Sequence, residues 1–158
     1  EAAREGIKFD IIGTNYKLTN IQAAIGLGQM NHIDDLLQRR IELANNYKRL
    51  IGSTTGILLP QILKKQPDTQ HSFQSYVVYI EDRDRIMHSM REVGIEVQIG
   101  SYSLHMHNAF NNNDESIELV GSMSNSRWCY DHALALPLYH DLTFEDQEYI
   151  INSLQALI

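Results

Sequence analysis

Residues 72–99, SFQSYVVYIEDRDRIMHSMREVGIEVQI, decide the fold class. The stretch opens at 72–81 on aromatic and β-branched residues, the composition of a well-buried strand. The period then lengthens. Ile86, Met87, Met90 and Val93 recur at helical spacing behind Asp82, which can cap, and Gly94 is placed to end the helix. Residues 95–99 return to a strand. A strand–helix–strand unit of this kind predicts a mixed domain in which helices cover a small sheet.

Toward the N-terminus, residues 57–59 read as a short strand stopped by Pro60, followed by a polar loop over 61–71. Two helices precede them. Thr19 stands three residues before Gln22, the spacing of a capping box, and Ile21, Ala24, Ile25, Leu27 and Met30 follow at helical intervals. Gly26 and Gly28 each weaken that helix by about 1 kcal/mol relative to alanine, so close approach of another backbone is their expected use. Residues 32–35 form a joint. A longer helix then carries Ile33, Leu36, Leu37, Ile41, Ala44, Tyr47, Leu50 and Ile51 on one face, and Arg39, Arg40, Glu42, Asn45, Lys48 and Arg49 on the other, up to Gly52.

Toward the C-terminus, 111–123 reads as a surface loop, and Ser124 can cap a short helix through His132. Residues 135–138 are a short extended piece whose Pro137 favours an edge position. Thr143 opens a terminal helix with Phe144, Tyr149, Ile150, Ile151, Leu154 and Ile158 available for burial. The fold class is therefore α+β: two long N-terminal helices followed by a small, mainly antiparallel sheet with helices on one side.

Bulk properties limit the functions such a domain can have. At 158 residues the chain suits one domain, burying roughly 70% of the surface its unfolded form exposes. Thirteen basic against twenty acidic residues, with no Lys/Arg block, argue against a nucleic-acid partner. No apolar run approaches the ~20 residues of a membrane helix, so no membrane partner is expected. A single cysteine cannot form an internal disulfide, which fits the cytoplasm.

Several residues carry chemistry worth weighing. His105 and His107 would share a face on a strand and could serve as two metal ligands, but a third ligand at a telling spacing is lacking. The alternative is loop histidines with hydrogen-bonded ring nitrogens, and no metal is assigned. Cys129 has no paired His/Asn signature and reads as a buried structural thiol. Arg39 and Arg40 read as a solvated helix face, with a phosphate contact as the alternative. Tyr47, Tyr76, Tyr79 and Tyr102 read as core or interface residues. No Walker loop, Gly-x-Gly-x-x-Gly or Gly-x-Ser-x-Gly is present. From the residues alone, no complete active site emerges.

Residues 13–30, GTNYKLTNIQAAIGLGQM, add a resemblance. They resemble the Gly-x-Asn-Tyr-Arg-Met-x-x-Ile-Gln-Ala-Ala-x-Gly stretch of the DegT/DnrJ/StrS family of pyridoxal-phosphate (PLP) dependent sugar aminotransferases. Ile33 to Arg40, Arg83-Asp84-Arg85 with Gly94-Ile95, Gly100 to His105, and Ala133 to Leu138 with Leu142-Thr143 and Gln147 resemble later segments of that family, in order.

The resemblance implies the C-terminal small domain of an aspartate-aminotransferase-like, fold type I enzyme. Residues 18–158 would form that domain, and 1–17 an arm continuing from a large domain upstream. The absence of an initiator methionine and of a signal-peptide pattern at Glu1 reads the same way. In the family the large domain supplies the Schiff-base lysine. Lys8, Lys17, Lys48, Lys64 and Lys65 are the lysines of this chain, and none stands in that context, so no catalytic residue is assigned and the chain alone is expected to be inactive and not to hold PLP.

By the same resemblance Asn15 would reach the PLP phosphate of a neighbouring subunit, as an amide donor that does not titrate. Lys17 stands where the family has arginine and keeps the charge without the bidentate fork. His105 and Tyr102 would line the substrate side. The intact enzyme would transfer an amino group, with glutamate as donor, to a nucleoside-diphosphate keto sugar, in surface polysaccharide or amino-deoxysugar biosynthesis. A homodimer through 18–51 is expected, because the apolar stripe of the first helix is costly to expose. The alternatives are a non-catalytic α+β binding or oligomerisation module, and a PLP-dependent sugar dehydratase relative.

Overall fold

A computed structural model describes residues 17–60, 70–111 and 118–158. Helix α1 (Asn20–Met30) and helix α2 (Ile33–Ile51) come first, separated by only two residues. Strand β1 (Tyr76–Tyr79), helix α3 (Arg83–Glu92) and strand β2 (Gln98–Ile99) follow. A 3-10 turn at Leu104–Met106 leads into α4 (Asn108–Asn111). Helix α5 (Ser124–His132), strand β3 (Ala133–Leu136) and helix α6 (Phe144–Gln155) complete the order.

The sheet runs β1–β3–β2, with β3 antiparallel to both neighbours. Tyr76 to Tyr79 pair with Leu136 to Ala133, and Gln98 and Ile99 pair with Ala135 and Leu134. β1, α3 and β2 thus make a split unit into which the later strand inserts. The expected α+β class, with a small antiparallel sheet behind two N-terminal helices, is the observed one.

The strands are shorter than the composition of 72–81 and 95–99 predicts. Leu58 makes only a single bridge to Tyr79, because Pro60 has no N–H with which to continue the ladder. The segment expected at 135–138 is displaced too. β3 begins at Ala133 and lies in the centre of the sheet, and Pro137 falls just past its end, where its carbonyl accepts the Tyr47 hydroxyl at 2.8 Å. A proline marks a strand's end as well as a sheet's edge, and here it marks the end.

The core lies between the sheet and helices α2, α3 and α6. Leu43, Tyr47, Val78, Met90, Leu134 and Leu154 have no exposed surface. Burying such a Leu or Met contributes roughly 1.5–3 kcal/mol. α6 buries Gln147, Ile150, Ile151 and Leu154, an i, i+3, i+4, i+7 face. Phe144 stays half exposed at the helix start beneath the Arg39 guanidinium, and Tyr149 lies off the buried face with its hydroxyl donating to Val93 O. Ile158 is also half exposed.

Polar ties lock α2 to its neighbours. Asn46 Nδ2 donates to Gln147 Oε1 at 2.8 Å, and Gln147 Nε2 donates to Leu43 O at 2.9 Å, both buried. Burial raises the Tyr47 phenol well above its ordinary value. Arg39 and Arg40 are not a solvated face. Arg39 donates to the carbonyls of His140 and Leu142, and Arg40 to those of Phe73 and Gln74.

The helix ends separate hydroxyl caps from the rest. Thr19 with Gln22 and Thr143 with Asp146 form capping boxes. Asp82 does not cap: it takes a left-handed backbone, φ 52°, and its carboxylate meets Arg85 instead. Ser124 does not cap either, since Met123 holds that position with φ 53°. Gly94, at φ 81°, turns the chain from α3 toward β2, and Val93 is left half exposed rather than on the buried face.

Helix α1 is the outlier, because every one of its residues is exposed. Nothing lies within 4 Å of where a Cβ on Gly26 or Gly28 would stand, so the close approach expected there is not made within the described residues. Asn15 and all of the 1–17 arm except Lys17 lie outside the described residues, as does most of the 61–71 loop. No described helix is long and apolar enough to cross a membrane.

Candidate substrate-side loop

The site is built where the chain leaves β2. Gly100 N donates to Ala133 O at 2.8 Å, pressing the backbone onto β3. A Cβ at position 100 would stand 2.8 Å from Val77 Cγ1 and 3.2 Å from the Ala133 carbonyl carbon, so only glycine fits without a shift. Three residues further on, Ser103 turns its hydroxyl inward with 1% of its surface exposed.

That hydroxyl organises the loop. Ser103 Oγ lies 2.9 Å from His105 Nδ1 and 2.9 Å from Ser126 Oγ, joining the loop to α5. Met106 N donates to Ser103 O, and His107 N to Leu104 O, closing the 3-10 turn. On this turn His105 and His107 do not share a face. His105 sits half-buried, while His107 is buried and meets the Tyr130 ring edge-on at 6.1 Å. Among the described residues no three His, Cys, Asp or Glu side chains are grouped to hold a metal.

Tyr102 belongs to the same cluster, its ring 6.1 Å from His107 and 6.4 Å from Tyr130. Beneath it lies Arg83, only 3% exposed. Its Nη2 donates to Tyr130 O at 2.7 Å, and its guanidinium carbon sits 5.5 Å from the centre of the Tyr130 ring. Its Nε lies 3.1 Å from Asp84 Oδ1, an ion-pair distance without hydrogen-bond alignment. The fold therefore brings Tyr102 and His105 together and adds Ser103, His107, Tyr130 and Arg83, none of which sequence reading assigned a substrate-side role.

Ser103 has a visible signal, since it stands inside the Gly100–His105 motif. Arg83 also stands inside a segment that carries the resemblance, Arg83-Asp84-Arg85, but nothing in the sequence marks it as buried. Lys17 is exposed ahead of α1, and no hydrogen bond or ring contact joins it to this cluster among the described residues. Cys129 is half-buried rather than buried, with Sγ 4.0 Å from the Tyr79 hydroxyl. Burial, then the Cys129 contact, raises the Tyr79 phenol above its ordinary value.

With Ser103 bound to Nδ1, the His105 ring keeps Nε2 to meet a ligand, and Tyr102, packed near His107 and Tyr130, adds a phenol on the same loop. An imidazole and a phenol on one loop can donate to, or accept from, the hydroxyls and phosphates of a polar ligand.

Comparison with known proteins assigns the class. The chain belongs to the DegT/DnrJ/EryC1/StrS aminotransferase family, which matches residues 2–155. GDP-perosamine synthase of Escherichia coli O157:H7 is 28% identical over 148 residues, which cover 92% of this chain and 38% of that protein. The DesV structure from S. venezuelae, in complex with a ketimine intermediate, is 25% identical with a TM-score of 0.74, over 92% of this chain and 38% of that one. A DegT DnrJ EryC1 StrS aminotransferase from Brucella abortus shares the fold, at 23% identity and a TM-score of 0.74, over 92% of this chain and 37% of that one. The chain spans 38% of the length of the curated relatives it matches.

Proposed function

We propose that the chain is the C-terminal small domain of a PLP-dependent aminotransferase acting on nucleoside-diphosphate keto sugars, in surface polysaccharide or amino-deoxysugar biosynthesis. The observation that carries this reading is the family match over residues 2–155, together with the likeness to GDP-perosamine synthase. Glutamate gives up its amino group and leaves as 2-oxoglutarate, and the keto carbon of the sugar becomes an amine. PLP, when bound, carries the amino group between the two. The described residues do not make a PLP site by themselves. Lys17 is exposed ahead of α1, and the cleft beside Lys48 has no described carboxylate among its walls to meet a pyridinium nitrogen. No step through the cofactor is therefore derived from them.

What this chain contributes is a wall and a contact surface. Tyr102 and His105 line the substrate side, held by Ser103 and by Arg83 through Tyr130. Asn15 and Lys17 face the cofactor phosphate of a neighbouring subunit. The surface is residues 18–51, where Leu18, Ile21, Ile25, Leu27 and Met30 are each 59–75% exposed. A second copy covering them, in a cytoplasmic homodimer, removes that apolar surface from water.

The test is glutamate-dependent turnover by the intact protein with PLP, followed as 2-oxoglutarate against a panel of nucleoside-diphosphate keto sugars. Turnover is expected, and His105→Ala should raise KM for the sugar about tenfold while leaving the glutamate half-reaction unchanged, the pattern of lost ground-state binding. Loss of water from the sugar without amine gain would establish the dehydratase relative instead. Absence of any turnover would favour the binding module. The 158-residue chain alone is expected to show no turnover.

A further inference from the structure

A second candidate site lies away from the Tyr102 loop, between the outer side of α2 and the approach to β1. It is a cleft of about 730 Å³, within the size range of small-molecule pockets. Its walls combine three chemistries. Phe73 and Tyr76 supply rings, Lys48 supplies a cation, and Asn45, Ser75 and His71 supply neutral polar groups. No Asp or Glu is found among its described walls, in a chain whose net charge is −7.

The aromatic wall is held in place. Phe73 has a left-handed backbone, φ 47°, a conformation strained for a non-glycine residue. Arg40 keeps it there, with Nη1 donating to Phe73 O at 2.8 Å and to Gln74 O at 3.1 Å. From the other side Phe73 N donates to His71 Nδ1 at 2.9 Å, so the neutral imidazole carries its proton on Nε2. The His71 and Phe73 rings are 4.4 Å apart, and the Phe73 and Tyr76 rings lie 6.5 Å apart within 27° of parallel. Backbone strain stabilised by a guanidinium and an imidazole has fixed a row of rings on one wall of the cleft. Burial pushes the Tyr76 phenol up to about 12, so at neutral pH it remains a donor.

We propose that this cleft binds a small planar ring carrying an anionic group, a carboxylate or a phosphate, with the ring along Phe73 and Tyr76 and the anion at Lys48. The rings take the flat apolar face, the ammonium takes the charge, and Asn45 and Ser75 take edge acceptors. This site is independent of the aminotransferase reading and stands whether or not that reading holds.

The probes are benzoate, phenyl phosphate and the neutral benzamide, titrated into the chain and followed by amide chemical shifts. Benzoate or phenyl phosphate should shift Lys48, Phe73 and Tyr76, and whichever binds tighter names the anion. Lys48→Ala should weaken both by about threefold to fivefold, the weight of one partly screened charge pair, without changing benzamide. Tyr76→Phe, with the ring kept, should weaken the anions less than Lys48→Ala does. Binding of benzamide as tight as benzoate, shifts confined to 20–30, or no shift at millimolar probe would overturn the proposal.

Discussion

Helices α1 and α6 begin alike and end up in opposite environments. Each opens on a threonine whose hydroxyl accepts from the N3 amide, answered by the N3 side chain, and each has apolar residues at helical spacing. Yet Ile21 is 75% exposed and Leu154 is 0% exposed. α6 is returned over α2 by the turn after Pro137 and is clasped there by Gln147. α1 precedes α2 by two residues, and no described residue covers it. Local sequence specifies a helix and an apolar face; where that face goes depends on how the rest of the chain is routed.

That contrast can be broken most sharply in the core. Leu154→Ala should cost about 2–5 kcal/mol in urea unfolding, while Ile21→Ala should change the stability of the chain by no more than about 0.5 kcal/mol. A comparable loss at Ile21 in the monomeric chain would mean that α1 is packed within it, and a loss that appears only as concentration rises would mean that a second copy covers it. Gln147→Leu should come next, at about 2 kcal/mol, because it strands the Asn46 amide N–H in the core and removes the second bond to the Leu43 carbonyl, which lies inside α2.

The caps should differ least. Thr143→Ala should lower the unfolding midpoint by the equivalent of about 1 kcal/mol, whereas Thr19→Ala should reduce helical circular dichroism and leave the midpoint where it is. The α6 cap also has an acid signature. Bonds from the Thr143 hydroxyl and amide hold the Asp146 carboxyl below its ordinary value. A carboxyl depressed in the folded state stabilises above its unfolded pKa, and that contribution disappears as pH falls through the folded value. Stability measured down the acid limb should therefore fall less in Asp146→Asn, and the α1 box, built on Gln22, should show no such dependence.

Much of this was legible because it is local. The strand–helix–strand unit, the Thr19–Gln22 capping box and the start of the terminal helix at Thr143 rest on residues near one another in the chain. The central place of β3 is not local: Ala133 to Leu136 acquire it by pairing with strands more than 30 residues upstream. The His105–His107 spacing implied a shared face only on a strand, and the Ser103 hydroxyl stabilised a turn instead. Tyr102 and His105 are proposed through the family resemblance, and Arg83 entered it too, but its burial beneath Tyr130 went unread because an arginine in a sequence speaks for exposure. Arg39 and Arg40 misled for the same reason.

That arginine pair has a consequence of its own. Adjacent on α2, the two side chains brace segments about a hundred and about thirty residues away, and all four acceptors are main-chain carbonyls. Carbonyls do not titrate, and a guanidinium stays charged throughout the accessible pH range. The turn before α6 and the approach to β1 are thus fastened by bonds that acid cannot switch off, so both should keep their positions at a pH where the Asp146 cap has already let go.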